Sequence, residues 1–379
     1  MSPYRDATIS YTDRTISERH ITLALDPCIG TLYLSPGCVD AQRNVLTIER
    51  HKRKMRAYSF NKYGKPEEVL VLQEVEKPVP KENEVLVKVR TTTINDFDWC
   101  LTRGKPYAYR LFFGIFKPRK KLHIPGMEVA GTVEKVGSKA DKFEPGDAVY
   151  GDTSEYSFGS FAQYMCLNEK ALNHKPAKMS FEEAASIPHA AMLAFQGLYD
   201  VGQIKREQKV LINGAGGGVG AFGLQFAKLH KAEVTGVDTG AKLKMMQQQG
   251  FDHVIDYKRE DFTKNSQHYD LILDCKTNRW PSAYLHVLNP NGKYITVGGQ
   301  TSKLLLLLFF KPLVSLFSNK KLHIVALKAN KDIDYVNRLY ESDQIKCIID
   351  GPYPFEKVPW AIRYFGEGKH HGKVVISVS

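Results

Sequence analysis

The sequence predicts an α/β protein in which a mostly β domain precedes a doubly wound parallel sheet. Alternating apolar and polar runs broken by Gly and Pro fill residues 55–179, the pattern of short, half-buried strands. Beyond Ser180, β-rich runs recur mostly at helix-length intervals, which specifies parallel strands joined by crossover helices. The first of those runs opens into a glycine-rich turn, Asn213-Gly214-Ala215-Gly216-Gly217-Gly218-Val219-Gly220, and then into a helical pattern.

Residues 1–54 read as a poorly ordered extension: they lack sustained periodicity, carry Ser, Thr, Pro and Gly breakers, and end in a solvated charge run, His51-Lys52-Arg53-Lys54. No apolar core follows a basic start, and Asp6, Asp13, Glu18 and Asp26 argue against a transit peptide. In residues 55–179, Val85, Val87 and Val89 alternate with Leu86, Lys88 and Arg90, and Val129 to Val136 continues after the Pro125-Gly126 turn. In residues 180–328 the strands are expected at 209–213, 233–238, 253–256, 269–274, 293–297 and 322–327. Residues 329–379 hold one more helical stretch and a final strand, 373–377, expected to return to the first domain.

With 379 residues, 43% of them hydrophobic and 25% charged, the chain is too long for a disulfide-stapled miniprotein and too apolar for disorder. Its longest apolar run, Leu304 to Phe310, stops at Lys311-Pro312, short of the ~18 residues that a membrane-crossing helix needs. That run reads as a buried helix or subunit interface, with a flap over a substrate slot or peripheral contact with a membrane surface as alternatives. The net charge of +12 is spread along the chain, without zinc-finger spacing or an aromatic-interleaved basic stripe, so no nucleic-acid partner is expected. The six cysteines contain no CxxC pair, which suggests reduced thiols, a cytoplasmic setting and no disulfide framework. His370-His371 reads as a solvent-exposed loop.

The glycine turn carries a mechanism. Its glycines let the backbone approach a pyrophosphate, and the helix that follows presents unpaired N–H groups and a partial positive charge. Ala215 takes the first position of the strict dinucleotide motif, Gly217 and Gly220 the others, and Val219, Phe222, Phe226 and Leu229 share one helix face. Asp238, ending the second strand, would accept hydrogen bonds from an adenosine ribose diol, which favours NADH. Thr239, Lys242 and Lys244 could instead hold a 2′-phosphate, which favours NADPH. Both cofactors stay open.

Together with Asn95-Asp96-Phe97-Asp98-Trp99, Ile124-Pro125-Gly126-Met127-Glu128-Val129-Ala130-Gly131 and the terminal Gly372-Lys373-Val374-Val375, this turn makes the chain resemble the medium-chain dehydrogenase/reductases over residues 55–379. Within them it looks like the zinc-independent quinone oxidoreductase (zeta-crystallin-like) branch. The resemblance implies a GroES-like catalytic domain, a Rossmann cofactor domain, a cleft between them, and a homodimer. It further implies reduction of quinones or α,β-unsaturated carbonyls with NADPH. Asn95 would lie near the nicotinamide, and Gly217, Gly218 and Val219 would form the pyrophosphate loop. Thr239 and Lys242 would contact the adenosine phosphate, Tyr257 the adenosine side, and Gly298 the nicotinamide through its backbone. Asp238 departs from the branch's NADPH pattern, which usually has a small or uncharged residue there.

Zinc-dependent relatives place a Cys where Asn95 stands and a His where Met127 stands, and their four-cysteine lobe falls where 147–161 has no cysteine. An amide and a thioether are poor zinc donors, so no zinc is expected. Without a Lewis acid an isolated carbonyl is weakly polarised, whereas hydride addition to a conjugated acceptor spreads charge to a distant oxygen that hydrogen-bond donors can reach. The expected activity is NAD(P)H-dependent reduction of quinones or enones, with Asn95 as an orienting donor and Tyr107 and Tyr156 as substrate contacts. Asp98 and Glu128 read as fold-stabilising. A zinc-free alcohol dehydrogenase and a nucleotide-binding protein with little turnover are the alternatives.

Overall fold

The computed structural model describes residues 54–378 and the backbone of three short strands before them. The chain divides into two units, residues 1–55 with 74–77 and residues 56–73 with 78–379. In the first unit β1 (Ala7–Ile9), β2 (Ile21–Leu25) and β3 (Leu32–Leu34) form an antiparallel sheet in that order. The expectations of a poorly ordered extension and of a solvated tetrad at 51–54 otherwise lie outside the described residues, apart from Lys54, which is exposed.

After β4 (Lys54–Ser59) and β5 (Val71–Glu76), the second unit builds two large sheets. The first begins with β6 (Glu84–Thr93), β7 (Glu128–Val136), β8 (Ala148–Asp152), β9 (Tyr164–Asn168) and β10 (Asn173–His174), all antiparallel to their neighbours. Val85, Val87 and Val89 are buried as their alternation requires, and Leu86 is buried too, because β6 is covered on both faces there.

The second sheet is wholly parallel: β11 (Lys209–Asn213), β12 (Glu233–Asp238), β13 (His253–Asp256), β14 (Tyr269–Asp274), β15 (Leu288–Thr296) and β16 (Lys321–Ile324) lie in the order β13-β12-β11-β14-β15-β16. Strand alternation splits its core. Val210 and Ile212 join Phe222 and Phe226 on one face, while Leu211 joins Ile272 and Tyr294 on the other. Because the connection leaving β11 runs to β12 on one side and the connection leaving β14 runs to β15 on the other, the two diverge and open a crevice at the strands' carboxyl ends.

The chain then returns to the first sheet. β17 (Ile349–Pro354) and β18 (Lys373–Ser377) complete the order β10-β8-β7-β6-β18-β17, with β18 antiparallel to β6 and parallel to β17. The run Leu304 to Phe310 belongs to a longer helix, Thr301–Phe317, that buries Leu307 and Val314 and leaves its opposite side in solvent.

Candidate dinucleotide site

A cavity of ≈ 560 Å³ occupies that crevice, with walls from the ends of β11 and β12, the loop after β14, residues 96–106 and residues 366–370. Gly214, at φ +85°, turns the chain out of β11, and the amides of Gly214 and Ala215 donate to the Val237 carbonyl at 2.9 and 3.1 Å. The next amide, Gly216 N, donates to Asp238 Oδ2 at 2.9 Å. The helix Gly218–Leu229 starts there with Gly217 as its cap, so the N–H groups of its first turn lack an intrahelical acceptor. A Cβ on Gly220 would overlap the Ala215 backbone, and one on Gly216 would overlap the Lys242 stem. One detail differs from expectation: Leu229 sits at the helix end with its side chain exposed, since the buried face closes with Phe226 and Ala227.

Asp238 is engaged from within. Its Oδ2 holds Gly216, its Oδ1 accepts from Thr239 N at 2.8 Å, and Lys242 Nζ stands 3.6 Å from Oδ1. Burial pushes the Lys242 ammonium below its ordinary pKa, opposed by the Asp238 charge. Gly217, Asp238, Thr239, Lys242 and Tyr257 all line the cavity; Ala215, Gly218, Val219 and Gly298 do not. Gly298 closes a threonine cluster, its carbonyl accepting from Thr277 Oγ1 at 2.7 Å and Thr296 Oγ1 at 2.8 Å, and its neighbour Gly299 reaches the cavity.

Asn95 sits in a buried polar cluster. Its Nδ2 donates to Glu128 Oε2 at 2.9 Å, and its Oδ1 accepts from Lys373 Nζ at 2.5 Å. Lys373 also pairs with Glu128 Oε2 at 2.5 Å, with side-chain exposures of 5% and 0%, and Thr93 and the His189 amide complete the carboxylate's shell. Asp98 accepts from the amides of Asn95 and Gly126 at 2.9 and 3.0 Å. Burial pushes its carboxyl up to about 7, against those donors and the Lys373 charge. Tyr107 and Tyr156 are exposed and lie outside the cavity wall; Lys105 and Arg110 stand over the Tyr107 ring at 5.7 and 4.9 Å.

His370 corrects a sequence expectation. Rather than standing in solvent, it is buried against the Phe365 ring, 4.4 Å between centroids, and lines the cavity. Burial, with Lys242, Lys276 and Lys373 nearby, drives its pKa well below the ordinary value, so it is neutral. The residues missed from sequence are Lys373, His370 and the basic wall of Arg103, Lys105, Lys276 and Arg279; only Lys373, inside the terminal Gly372-Lys373 motif, carried a signal.

A parallel sheet with a glycine-capped helix at its switch point, joined to an antiparallel sheet across a cationic cavity, defines a dinucleotide-binding protein of two sheets. The family comparisons divide the chain the same way: the alcohol dehydrogenase GroES-like domain matches residues 81–177 and the zinc-binding dehydrogenase domain residues 249–376. A 2-methylene-furan-3-one reductase of Solanum lycopersicum is 30% identical over 85% of this chain and 79% of its own. A chloroplastic quinone-oxidoreductase homolog of Spinacia oleracea is 30% identical over 85% and 98%. The solved quinone oxidoreductase of Coxiella burnetii, 24% identical, shares the fold with a TM-score of 0.75 over 86% of this chain and all of its own. The chain belongs to the medium-chain dehydrogenase/reductase superfamily, among its quinone oxidoreductases and enone reductases. Despite the name of one matching domain, among the described residues no group of three or more His, Cys, Asp and Glu side chains is placed to hold a metal ion.

Proposed function

We propose that this protein is a zinc-independent reductase of quinones or α,β-unsaturated carbonyls that uses NADPH in preference to NADH. The observation that carries the reading is the glycine turn: open first-turn amides, no Cβ at Gly216 or Gly220, and a wall in which five basic side chains face three acidic ones. These residues fit a dinucleotide. When bound, its reduced nicotinamide supplies the hydride.

The rest is the work of the chain. The turn of Gly217, Gly218 and Val219, which reaches the cavity at Gly217, would hold a diphosphate, and Tyr257 and Thr239 would flank the adenosine. Asp238 already spends both oxygens on Gly216, Thr239 and Lys242, which supports a phosphate-accepting role for the surrounding lysines over ribose-diol recognition by the carboxylate. Asn95, clamped between Glu128 and Lys373, has a fixed orientation, and its Nδ2 donates to Glu128 Oε2 at 2.9 Å and more weakly to Thr93 Oγ1 at 3.5 Å, the longer of which an acceptor oxygen would displace. Met127, buried where a zinc relative has its ligand, leaves the conjugation of the substrate to disperse charge. The family also implies a homodimer, for which the outer edge of β16 offers backbone donors and acceptors.

The test is cofactor oxidation across a panel of quinones, enones and simple ketones, with NADPH and NADH in parallel on metal-stripped protein. Turnover of conjugated acceptors that survives chelation is expected. Activity abolished by chelation and restored by zinc, or confined to simple ketones, would overturn the proposal, and cofactor binding without oxidation of any acceptor would leave only a nucleotide-binding role.

A further inference from the structure

The helix Thr301–Phe317 is apolar on two sides. One packs Leu307 and Val314 into the sheet; the other presents Leu305, Leu308, Phe309, Leu313, Leu316 and Phe317 to solvent, the last two at 73% and 81% exposure. Their spacing of three and four residues makes one continuous stripe. A second segment behaves alike: Leu111, Phe112, Ile115 and Phe116 are exposed, Phe116 at 91%. Both leave the rim of the same cavity, since the exposed lining residue Pro106 leads into the second segment and Gln300 leads into the helix.

The charges along both sequence stretches have one sign. No Asp or Glu occurs between Lys105 and Met127, or between Cys275 and Lys331. Lys117, Arg119, Lys120 and Lys121 follow the short segment and are exposed, Lys311 and Lys321 stand exposed in and after the helix, and Lys303 lies 4.4 Å over the exposed Trp280 ring. Apolar side chains of this size cost free energy in water, and a basic rim with an aromatic anchor complements the phosphates of an anionic bilayer. No described helix is long and apolar enough to cross a membrane, so the fit is to a surface.

We propose that the Thr301–Phe317 helix and the 111–116 segment dock the protein on an anionic membrane surface, with the cavity mouth at the bilayer so that a lipophilic acceptor enters from the lipid; the second half of this statement rests on the reductase reading. The test is co-sedimentation of the full chain with phosphatidylcholine vesicles, with and without phosphatidylglycerol. Binding only to the anionic vesicles is expected. It should fall about thirtyfold in Lys120→Ala/Lys121→Ala and at least about a hundredfold in Phe309→Asp/Leu316→Asp, while both variants keep the parent's turnover of a water-soluble acceptor without lipid. Equal binding to neutral vesicles, or no binding to either, would overturn the proposal. So would self-association that Phe309→Asp/Leu316→Asp abolishes in a protein that ignores vesicles, because a second copy would then cover the stripe. A parent inactive on every acceptor refutes the reductase reading alone and leaves the sedimentation result standing.

Discussion

Replacing Lys373 by Met keeps the length of the stem and removes its charge from the most buried ion pair near the cavity. Nζ stands 2.5 Å from Glu128 Oε2 and 2.5 Å from Asn95 Oδ1. At that separation and an effective dielectric constant near 20, the attraction is about 7 kcal/mol, opposed by a desolvation cost of several kcal/mol for each ion. The substitution removes the attraction while leaving Glu128 desolvated, with only Thr93, Asn95 and the His189 amide as donors. We expect a loss of about 3–5 kcal/mol, read as a lower urea midpoint with the slope unchanged. Lys373→Met combined with Glu128→Gln removes both charges and should recover about half of that loss. The lysine stem also passes Gly218, 3.4 Å from where a Cβ there would stand, so the KM for the nucleotide should rise with the single variant. A single variant within about 1 kcal/mol of the parent, or a double variant as unstable as the two singles summed, would refute the reasoning.

Asp238→Ala removes the partner of Lys242 and a negative charge beside the proposed adenosine wall; the ratio of kcat/KM for NADPH over NADH should rise about tenfold, a change of about 1.4 kcal/mol, and an unchanged ratio would mean that the carboxylate's charge does not bear on a 2′-phosphate. Asp98, raised from 3.8 to about 7, binds a proton in the folded chain that the unfolded chain has already lost, so its contribution lowers stability as pH rises from about 4 to about 7. Asp98→Asn should flatten that slope while lowering stability by about 1–2 kcal/mol, because the amide oxygen replaces only one of the two carboxyl oxygens that accept from backbone amides; urea midpoints at pH 5 and pH 7.5 read both effects, and a variant with the parent's slope sinks the assignment. Gly220→Ala drives a methyl into the Ala215 backbone and should cost about 1–3 kcal/mol together with nucleotide binding, measured by thermal unfolding and cofactor fluorescence; parent-like values would mean that the turn can shift.

The parallel sheet was legible because each of its strands is a short apolar run at a distinct place in the sequence, and β11 to β14 fall where expected. The later two drift: β15 starts earlier, at Leu288, because Leu288 pairs with Tyr269 of β14 ahead of an irregularity that takes in polar Asn289 and Asn291, and β16 ends at Ile324 where its pairing with β15 stops. The glycine turn was legible because its requirement is local. The polar cluster was not, since Asn95, Glu128, His189 and Lys373 come from four separated stretches whose meeting depends on β18 entering between β6 and β17. His370 was misread for a related reason: adjacent histidines look solvated, and only the return of the chain over the turn buries one of them.

That return joins fold to chemistry. Gly372, at φ +74° and packed so that a Cβ would overlap Ile348, donates its amide to the Gly216 carbonyl at 2.9 Å. On one side of this contact His370 faces the cavity, and on the other Lys373 reaches Asn95 and Glu128. A few consecutive residues therefore tie the proposed diphosphate turn to the proposed orienting asparagine, and β18 continues from them into the antiparallel sheet. A strand places successive side chains on opposite faces, so the register Val375↔Thr93 that locks β18 to β6 also decides on which side Lys373 emerges. The spacing between the proposed diphosphate turn and the proposed orienting asparagine is thus set by sheet pairing.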